Sequence, residues 1–186
     1  MSLWKVIDTV KSFIFYDADK EFYAQVFPGS VDRIDLMRLR KMRMEDLPQV
    51  LEIEAKNYNF PWSEAIFKDC LKSFNYSCWI CDELDTLVGY SIVSMAAGEA
   101  HVMNISVDPA VQKQGVGSKL LENMIELAEN KADTIFLEVR PSNRAAILLY
   151  EKRGFNEIGI RKGYYPTVNG RREDAVMLAL ELVTLF

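Results

Sequence analysis

Histidine and cysteine, the residues that most often bind metals or form disulfides, are scarce in this sequence. It has three cysteines and one histidine in 186 residues. An odd and small cysteine count argues against a disulfide framework and favours a reducing compartment. Only His101 could join Cys78 and Cys81 in a zinc site, so we expect no metal. These two cysteines are three residues apart on a predicted strand, which places them on opposite faces, and we expect buried thiols.

Long apolar runs, a basic excess and internal repeats are also missing. No run reaches the ~18 residues that a membrane-spanning helix needs, so we expect no membrane span. The 27 acidic residues outnumber the 22 basic ones and give a formal net charge of −5. This balance lacks the basic face that nucleic acid requires, so no direct nucleic-acid partner is expected. The composition that remains, 49% hydrophobic and 26% charged, is typical of a soluble globular protein.

Residues 1–36 differ in pattern from the rest of the chain. Apolar residues recur there at helical spacing, namely Leu3, Val6, Ile7, Val10, Phe13 and Ile14. Asp8 interrupts the unbroken apolar core that a secretory signal requires. We interpret residues 1–36 as an N-terminal amphipathic helical extension that docks on the following domain. Docking to an unknown partner or to a membrane surface is the alternative.

From residue 37 onward, predicted strands and helices are interspersed. Strands are predicted near residues 37–40, 76–82, 87–96, 100–107, 134–140, 155–161 and 175–183. Helices are predicted from residue 47, over 65–71, over a stretch ending near 131, and over 143–153. This order predicts a mixed α/β (α+β) domain around one sheet, spanning residues 37–186.

The densest chemical signal is the pattern Gln112-x-x-Gly115-x-Gly117 between a predicted strand and a predicted helix. Glycines at a helix N-terminus let the main chain approach a ligand, and the helix end favours a pyrophosphate. The pattern is not a Walker P-loop, because no Gly-Lys-[Ser/Thr] follows, and it lacks the third glycine of a dinucleotide fingerprint. A tight turn alone would also account for two glycines.

This spacing resembles the one with which GNAT acetyltransferases hold the pyrophosphate of acetyl-CoA. Further segments resemble the RimI family within that superfamily: residues 60–63 (Phe-Pro-Trp-Ser), 104–109 (Asn-Ile-Ser-Val-Asp-Pro), 137–143 (Leu-Glu-Val-Arg-Pro-Ser-Asn), 149–155 (Leu-Tyr-Glu-Lys-Arg-Gly-Phe), 164–166 (Tyr-Tyr-Pro) and 170–175 (Gly-Arg-Arg-Glu-Asp-Ala). The RimI family acetylates the N-terminal alanine of the eighteenth small-subunit ribosomal protein in bacteria. The resemblance covers residues 38–180 and leaves out the N-terminal extension.

The resemblance implies a GNAT fold, a mixed and mostly antiparallel sheet with one splayed parallel strand pair, flanked by helices. The predicted strands near 100–107 and 134–140 would be this pair. The main chain of three residues would then hold pantetheine, namely Ile105, Ser106 and Val107. The pyrophosphate would lie against Lys113, Gln114, Gly115, Val116, Gly117 and Ser118. Asn143 resembles a side-chain contact to the cofactor, although it could instead cap the following helix.

Two residues are candidates for proton transfer. Glu138 interrupts an apolar strand, and a buried carboxylate is costly unless it is paired, which makes it a candidate for acid–base work. By resemblance, Glu138 is the general base and Tyr150 the acid that reprotonates the departing CoA thiolate. The alternatives are a structural salt bridge from Glu138 to Arg140 and simple core packing of Tyr150.

The resemblance therefore implies a cytoplasmic, acetyl-CoA-dependent N-acetyltransferase whose partner is the basic N-terminal peptide of a ribosomal protein. Direct attack in a ternary complex needs no covalent enzyme intermediate, so the cysteines need no catalytic role. By resemblance, the Pro61-Trp62 loop and the C-terminal hairpin form the peptide entrance, with the hairpin residues Arg161, Lys162, Tyr164, Tyr165, Pro166, Arg171 and Arg172. A merely solvated turn is the alternative for the hairpin.

Two other functions stay open at this point. One is a GNAT acetyltransferase for other protein N-termini, for lysine or for small amines, which would share every cofactor residue. The other is a non-catalytic module that binds acetyl-CoA.

Overall fold

The computed structural model describes residue 26 and residues 33–182. Residues 1–25 and 27–32, which make up most of the predicted extension, lie outside the described residues, so its docking stays a prediction. The first described element after residue 26 is a 3₁₀ turn at Arg33–Leu36, which leads directly into the first strand.

The described residues form seven strands and four α-helices. The strands are β1 Met37–Lys41, β2 Tyr76–Glu83, β3 Thr86–Ala96, β4 Glu99–Val107, β5 Thr134–Val139, β6 Asn156–Pro166 and β7 Arg172–Glu181. The helices are α1 Leu47–Asn57, α2 Glu64–Lys72, α3 Val116–Ala128 and α4 Arg144–Glu151. Short 3₁₀ turns cover Met44–Asp46 and Pro109–Val111.

The predicted elements are confirmed, and the largest difference lies in the C-terminal hairpin. β6 runs five residues past its predicted end at 161, and β7 starts before the predicted residue 175. Cross-strand pairing explains the extension, because Tyr165 pairs with Glu173 and Pro166 pairs with Arg172. A segment rich in charge and turn residues in the sequence is therefore a long hairpin that projects from the sheet edge.

All seven strands belong to one sheet in the order β1-β2-β3-β4-β5-β7-β6. The pair β4–β5 is parallel, and the other described pairs are antiparallel. This topology confirms the predicted mixed sheet. The connection from β4 through α3 to β5 supplies the crossover that a parallel pair requires.

The sheet separates two cores. α1 and α2 pack on one face, where Val50 and Phe67 contact Ile80 and Ile92. α3 and α4 pack on the other face, where Leu121 and Met124 join the apolar side chains of β5. Because both faces are covered, the strands are largely buried, and truncating one of these side chains to alanine is expected to cost about 2–5 kcal/mol of unfolding free energy.

The cysteines follow the predicted arrangement. Cys78 lies in the core beneath α1 and α2, whereas Cys81 packs against Val116 and Leu120 of α3 on the opposite face. All three thiols are buried and free. Burial raises the pKa of the Cys78 and Cys81 thiols to about 12, so both stay protonated and unreactive at neutral pH.

Gly89 on β3 allows α3 to approach the sheet closely. A Cβ atom there would lie 2.9 Å from the Ser106 carbonyl oxygen and 3.1 Å from side-chain carbons of Leu120 and Val116. Only glycine fits at this distance. The close approach places the N-terminus of α3 beside the C-terminal end of β4.

Candidate active site

The parallel pair opens into a gap half-way along its length. β4 pairs with β5 from Glu99 to Val102, opposite Thr134 to Leu137. The described pairing stops there, although β4 continues to Val107 and β5 to Val139. We call this gap, between residues 103–107 of β4 and residues 138–139 of β5, the splay.

A β-bulge begins the splay. The register between β3 and β4 shifts so that Ile92 faces Asn104 while Val93 faces Val102. Met103 is therefore the extra residue, and a bulge of this kind bends a strand and ends its regular pairing. As a consequence, Asn104 and Ser106 direct their side chains towards α1, whereas Val102 faces the core beneath α3.

The main chain of β4 faces the splay at alternate residues. The Asp108 N–H donates to the Val88 carbonyl on β3 at 2.9 Å. Antiparallel alternation then turns the main-chain groups of Val107 and Ile105 away from β3 and towards the gap. The hydroxyl of Tyr58 donates to the Ile105 carbonyl at 3.1 Å, which agrees with that orientation. Of the three residues predicted to hold pantetheine, Ile105 and Val107 thus turn their main-chain groups to the splay, whereas those of Ser106 face β3.

The glycine loop lies next to this end of β4. Asp108 accepts a hydrogen bond from the Ala110 N–H at 2.9 Å and so caps the 3₁₀ turn. Lys113 and Gly115 then adopt positive φ angles of 62° and 93° before α3 begins at Val116. Successive main-chain N–H groups in such a turn converge into an anion-binding concavity, and the helix end adds its positive dipole.

The structural requirement for glycine differs between the two glycines of this loop. Gly115 is required by its left-handed φ of 93°, so the turn alone accounts for it. Gly117 is not, because a Cβ atom there would meet Leu149 Cδ2 at 3.4 Å and Val107 Cγ2 at 3.8 Å, which are ordinary contacts. Packing within the described part of the chain therefore does not require glycine at position 117.

Glu138 projects into the splay from the β5 side. Ile135, Leu137 and Val139 point into the core beneath α3 and α4, so Glu138 faces the side of α1 and α2. Its carboxylate accepts a hydrogen bond from Arg161 Nη1 at 3.0 Å.

The expectation that this carboxylate is buried was wrong. The Glu138 side chain is half-buried, with 23% of its surface exposed, because the described strand pairing ends beside it. The salt bridge to Arg140, weighed as an alternative, is not formed among the described residues, since Arg140 pairs with Glu173 at 2.9 Å.

Tyr150 lies on the other side of the sheet, in the core beneath α4. Its ring packs against Phe155 with centroids 5.7 Å apart. Burial raises the pKa of the Tyr150 phenol, and the phenols of Tyr58 and Tyr165 add to this effect. The hydroxyl is therefore protonated at neutral pH, as a proton donor must be.

The hairpin of β6 and β7 reaches back to the splay. The Tyr165 hydroxyl donates to the Glu138 carbonyl at 2.8 Å, and the Arg140 guanidinium lies 4.3 Å from the Tyr165 ring centroid. Arg161 lies 4.6 Å from the ring centroid of Tyr164, so cation–π contacts support both arginines. These contacts hold the hairpin against the end of β5 beside the splay.

Comparison with known proteins agrees with this geometry. The sequence model of the Acetyltransferase (GNAT) family matches residues 38–155. The chain is 41% identical over 145 residues to the [Ribosomal protein bS18]-alanine N-acetyltransferase of Escherichia coli strain K12, covering 77% of this chain and 97% of that protein. The chain belongs to the GNAT acetyltransferase family. It is accordingly an N-acetyltransferase.

Two further similarities extend the match. The chain is 38% identical over 142 residues to a putative bS18-alanine N-acetyltransferase of Bacillus subtilis strain 168, covering 75% of this chain and 92% of that protein. The crystal structure of the ribosomal-protein-S18-alanine N-acetyltransferase from Escherichia coli superposes with a TM-score of 0.73 at 40% identity, over 78% of this chain and 94% of that one. The GNAT fold predicted from the sequence is confirmed.

The other residues that the resemblance assigns to the cofactor occupy varied environments in this GNAT domain. Lys113 and Gln114 are exposed on the loop, and Ser118 is half-buried in the first turn of α3. Val116 is buried in the core, so only its main chain can meet a ligand. The Asn143 side-chain oxygen accepts from the Ala146 N–H at 3.1 Å, which is the helix-capping role weighed as an alternative.

Sequence reasoning missed the last turn of α1. Glu54 and Tyr58 fall at the helical spacing set by Leu47, Val50 and Leu51, so the polar residues on this apolar stripe were the available signal. Glu54 is buried, with 1% of its surface exposed.

Three groups surround the Glu54 carboxylate. The Trp62 N–H donates to it at 2.8 Å, Asn104 Nδ2 lies 3.4 Å away, and the Tyr90 hydroxyl donates to its second oxygen. Glu54 thus ties the Pro61-Trp62 loop to β3 and β4. One buried carboxylate accepts hydrogen bonds from the loop and from both strands, and this shared cluster fixes the loop beside β3 and β4.

Among residues 33–182, no three histidine, cysteine, aspartate or glutamate side chains are grouped as metal ligands. No helix in the same part of the chain has the length and apolar character needed to cross a bilayer.

Proposed function

We propose that this protein is an N-α-acetyltransferase that moves the acetyl group of acetyl-CoA to the N-terminal alanine of ribosomal protein bS18. The observation that carries the proposal is the 41% identity to the Escherichia coli enzyme of that name over 97% of its length. The splay, with Glu138 on one side and the glycine loop at its end, supplies the matching geometry. The catalytic domain would span residues 37–186, with residues 1–36 as a separate extension.

In this proposal acetyl-CoA lies in the splay. The main-chain groups of Ile105 and Val107 that face the splay would pair with the pantetheine arm, as β5 pairs with the first half of β4, with Ser106 between them bonded to β3. The N–H groups of residues 113–118 would hold the pyrophosphate. The Tyr58 hydroxyl now bonded to the Ile105 carbonyl would have to yield to, or contact, the arriving cofactor.

The reacting groups act from opposite sides of the sheet. The α-amine nitrogen attacks the thioester carbonyl from the α1 and α2 side, and its proton passes to Glu138, directly or through water. The C–S bond breaks, and the CoA thiolate takes a proton from Tyr150 on the α3 and α4 side. The splay is the opening through which both groups reach one thioester. No covalent enzyme intermediate is needed, so both substrates are bound together.

An α-amine suits this site energetically. With an unperturbed pKa near ~7.7–8.0, on the order of a tenth of it is neutral at pH 7, whereas a lysine amine near ~10.4 is neutral in less than about one part in a thousand. The general base therefore does not need to deprotonate a strongly basic ammonium group before attack. The formal charge of −5 also favours approach of a basic ribosomal-protein tail, and a cytoplasmic location follows from that substrate.

A peptide panel tests the acceptor. Release of CoA would be followed with peptides of the bS18 N-terminal sequence that begin with Ala, Ser or Met, and with an N-acetylated Ala-Lys peptide. We expect turnover with the alanine peptide to exceed the others. Turnover confined to the lysine peptide would overturn the proposed acceptor class.

Mass spectrometry of small-subunit ribosomal proteins tests the substrate in cells. In cells without the gene, we expect one protein, bS18, to lose a single acetyl group from its N-terminus. An unchanged bS18, or acetyl groups lost from other proteins only, would contradict the proposal.

A further inference from the structure

The last turn of α1 contacts the splayed half of β4 residue by residue. Side chains at positions 54–58 reach successive positions 104–108, through the pairs Glu54–Asn104 at 3.4 Å, Tyr58–Ile105 at 3.1 Å, Asn57–Ser106 at 2.8 Å, Asn57–Val107 at 2.9 Å and Lys56–Asp108 at 3.0 Å. The contacts to Asn104 and Ser106 reach their side chains on the face of the sheet that α1 covers. The contacts to Ile105 and Val107 reach main-chain carbonyls that are turned towards the splay.

Asn57 makes the densest set of these contacts. Its Nδ2 donates to Ser106 Oγ and to the Val107 carbonyl, and it also lies 3.1 Å from the Ile53 carbonyl of its own helix. Its Oδ1 accepts a hydrogen bond from Gln112 Nε2 at 3.0 Å. The amide thus uses both its donor and its acceptor side, and it joins α1, the end of β4 and the glycine loop.

Gln112 transmits this contact to the glycine loop. The same Nε2 group lies 3.2 Å from the Val107 carbonyl, so Asn57, Val107 and Gln112 form a closed triangle of hydrogen bonds. Gln112 immediately precedes Lys113, whose left-handed φ of 62° is unfavourable for a residue with a Cβ atom. A side chain that fixes position 112 therefore helps to hold a strained loop in one conformation.

We infer that Asn57 is a positioning residue for the cofactor loop: acting through Gln112, it holds residues 113–115 in the conformation that receives the pyrophosphate. Asn57 touches no reacting atom in this scheme. The inference rests on the proposed acetyl-CoA site and deepens it. It also means that the helix leading into the acceptor loop fixes the cofactor loop as well.

A double-mutant cycle tests this inference. Variants Asn57→Ala, Gln112→Ala and the double variant would be compared with the unchanged protein in titrations with CoA followed by calorimetry. Each single change should raise the Kd by about two- to ten-fold, the range of one lost hydrogen bond. The double change should raise it no further than the larger single effect, because both remove the same contact. If the two single-variant increases in Kd multiplied in the double variant, the inference would be overturned.

Three further readouts separate positioning from general damage. Hydrogen exchange of the loop amides at 113–116 should speed up in Asn57→Ala without ligand, and KM for acetyl-CoA should rise while KM for the peptide stays unchanged. Asn130→Ala, a change in the exposed turn after α3, is the matched control and should leave Kd unaltered. Unchanged Kd and exchange in Asn57→Ala would also overturn the inference.

Failure of the proposed function gives a different result from failure of this inference. If the splay is not an acetyl-CoA site, the unchanged protein itself does not bind CoA. If only the inference is wrong, the unchanged protein binds CoA and Asn57→Ala binds it equally well. Gln112 is exposed, so Gln112→Ala remains informative even if Asn57→Ala lowers stability.

Discussion

The two flanks of the splay are held by different kinds of contact. On the β4 flank, Tyr58 and Asn57 donate to main-chain carbonyls at 3.1 and 2.9 Å from the C-terminal end of α1, where Asn57 is the last helical residue and Tyr58 follows it in an extended conformation. On the β5 flank, the Glu138 side chain is held by Arg161, whose side chain is 55% exposed and belongs to a projecting hairpin. One flank is fixed by part-buried, mostly neutral hydrogen bonds, and the other by solvent-exposed charge.

The two flanks therefore differ in how easily their contacts are exchanged for contacts to a substrate. An exposed ion pair is worth only about 0–1 kcal/mol, so the Arg161–Glu138 contact can be exchanged for a contact to an arriving amine. Breaking the part-buried hydrogen bonds of the β4 flank costs more free energy, because water replaces their partners less readily. We therefore expect changes on the β4 flank to alter cofactor affinity and changes at Glu138 or Tyr150 to alter turnover.

The largest effect is expected from Glu138→Gln. The amide keeps an oxygen that can accept from Arg161, so the local geometry persists while the base is lost. We expect kcat to fall by about 100-fold, measured as CoA release with an alanine-terminated peptide. The Kd for acetyl-CoA should stay within about two-fold.

Glu157→Gln is the matched control, because Glu157 is an exposed glutamate at the far end of β6. It should leave both kcat and Kd unchanged. If Glu138→Gln instead weakened acetyl-CoA binding and spared kcat, the separation between the two flanks would be lost.

A smaller loss of turnover is expected from Tyr150→Phe. The change removes one buried hydroxyl and keeps the ring contact with Phe155, so the fold should persist. We expect kcat to fall by about ten-fold, because the thiolate must then take its proton from water. A kcat within two-fold of the unchanged protein would reduce Tyr150 to a packing residue.

The pH profile gives an independent check on Tyr150. Burial raises its pKa above the ordinary value near 10, so the phenol stays protonated throughout the physiological range. In the unchanged protein, kcat/KM should rise with pH as the α-amine loses its proton near ~8, without a decline before pH 10. A decline below pH 9 that Tyr150→Phe abolishes would contradict the raised pKa.

The sequence alone could locate most of the splay but not the side chains that hold it in place. Strand and helix patterns, together with the Gln112-x-x-Gly115-x-Gly117 spacing, predict β4, α3 and β5 in the right order. The partner of Glu138 was not predictable, because Arg161 is brought to it by the pairing of β6 with β7. Likewise, Asn57 and Gln112 are 55 residues apart, and no local pattern links them. Contacts between distant segments depend on the register of the sheet.

Gly117→Ala separates cofactor affinity from stability on the β4 flank. The added methyl group makes only ordinary contacts within the chain, and alanine favours the helix by about 0.5–1 kcal/mol over glycine. Tm should therefore rise by about 1–3 °C. The Kd for CoA should rise by about five-fold, because the methyl group narrows the helix mouth. If Gly117→Ala lowered both Tm and the Kd for CoA, glycine would be required at this position by packing and not by the approach of a ligand.

The smallest effect is expected from Asp46→Asn, beside the edge strand β1. The Asp46 carboxylate accepts from Arg40 at 2.8 and 2.9 Å and from the Arg43 N–H at 2.7 Å. Burial alone would raise the pKa of this carboxyl, but the hydrogen bonds from Arg40 and Arg43 outweigh it and hold the pKa below its ordinary value of 3.8.

A pKa lowered by folding stabilises the fold above the unfolded value, near pH 4, and this contribution is lost as pH falls through the folded value. Asp46→Asn should therefore lower Tm by about 2–4 °C at pH 7 and by less at pH 3, measured by thermal denaturation. An equal shift at both pH values would contradict the lowered pKa. Because two strands separate β1 from β4, kcat and the Kd for CoA should not change. That outcome would show that the variants at the splay act through its two flanks and not through the stability of the whole domain.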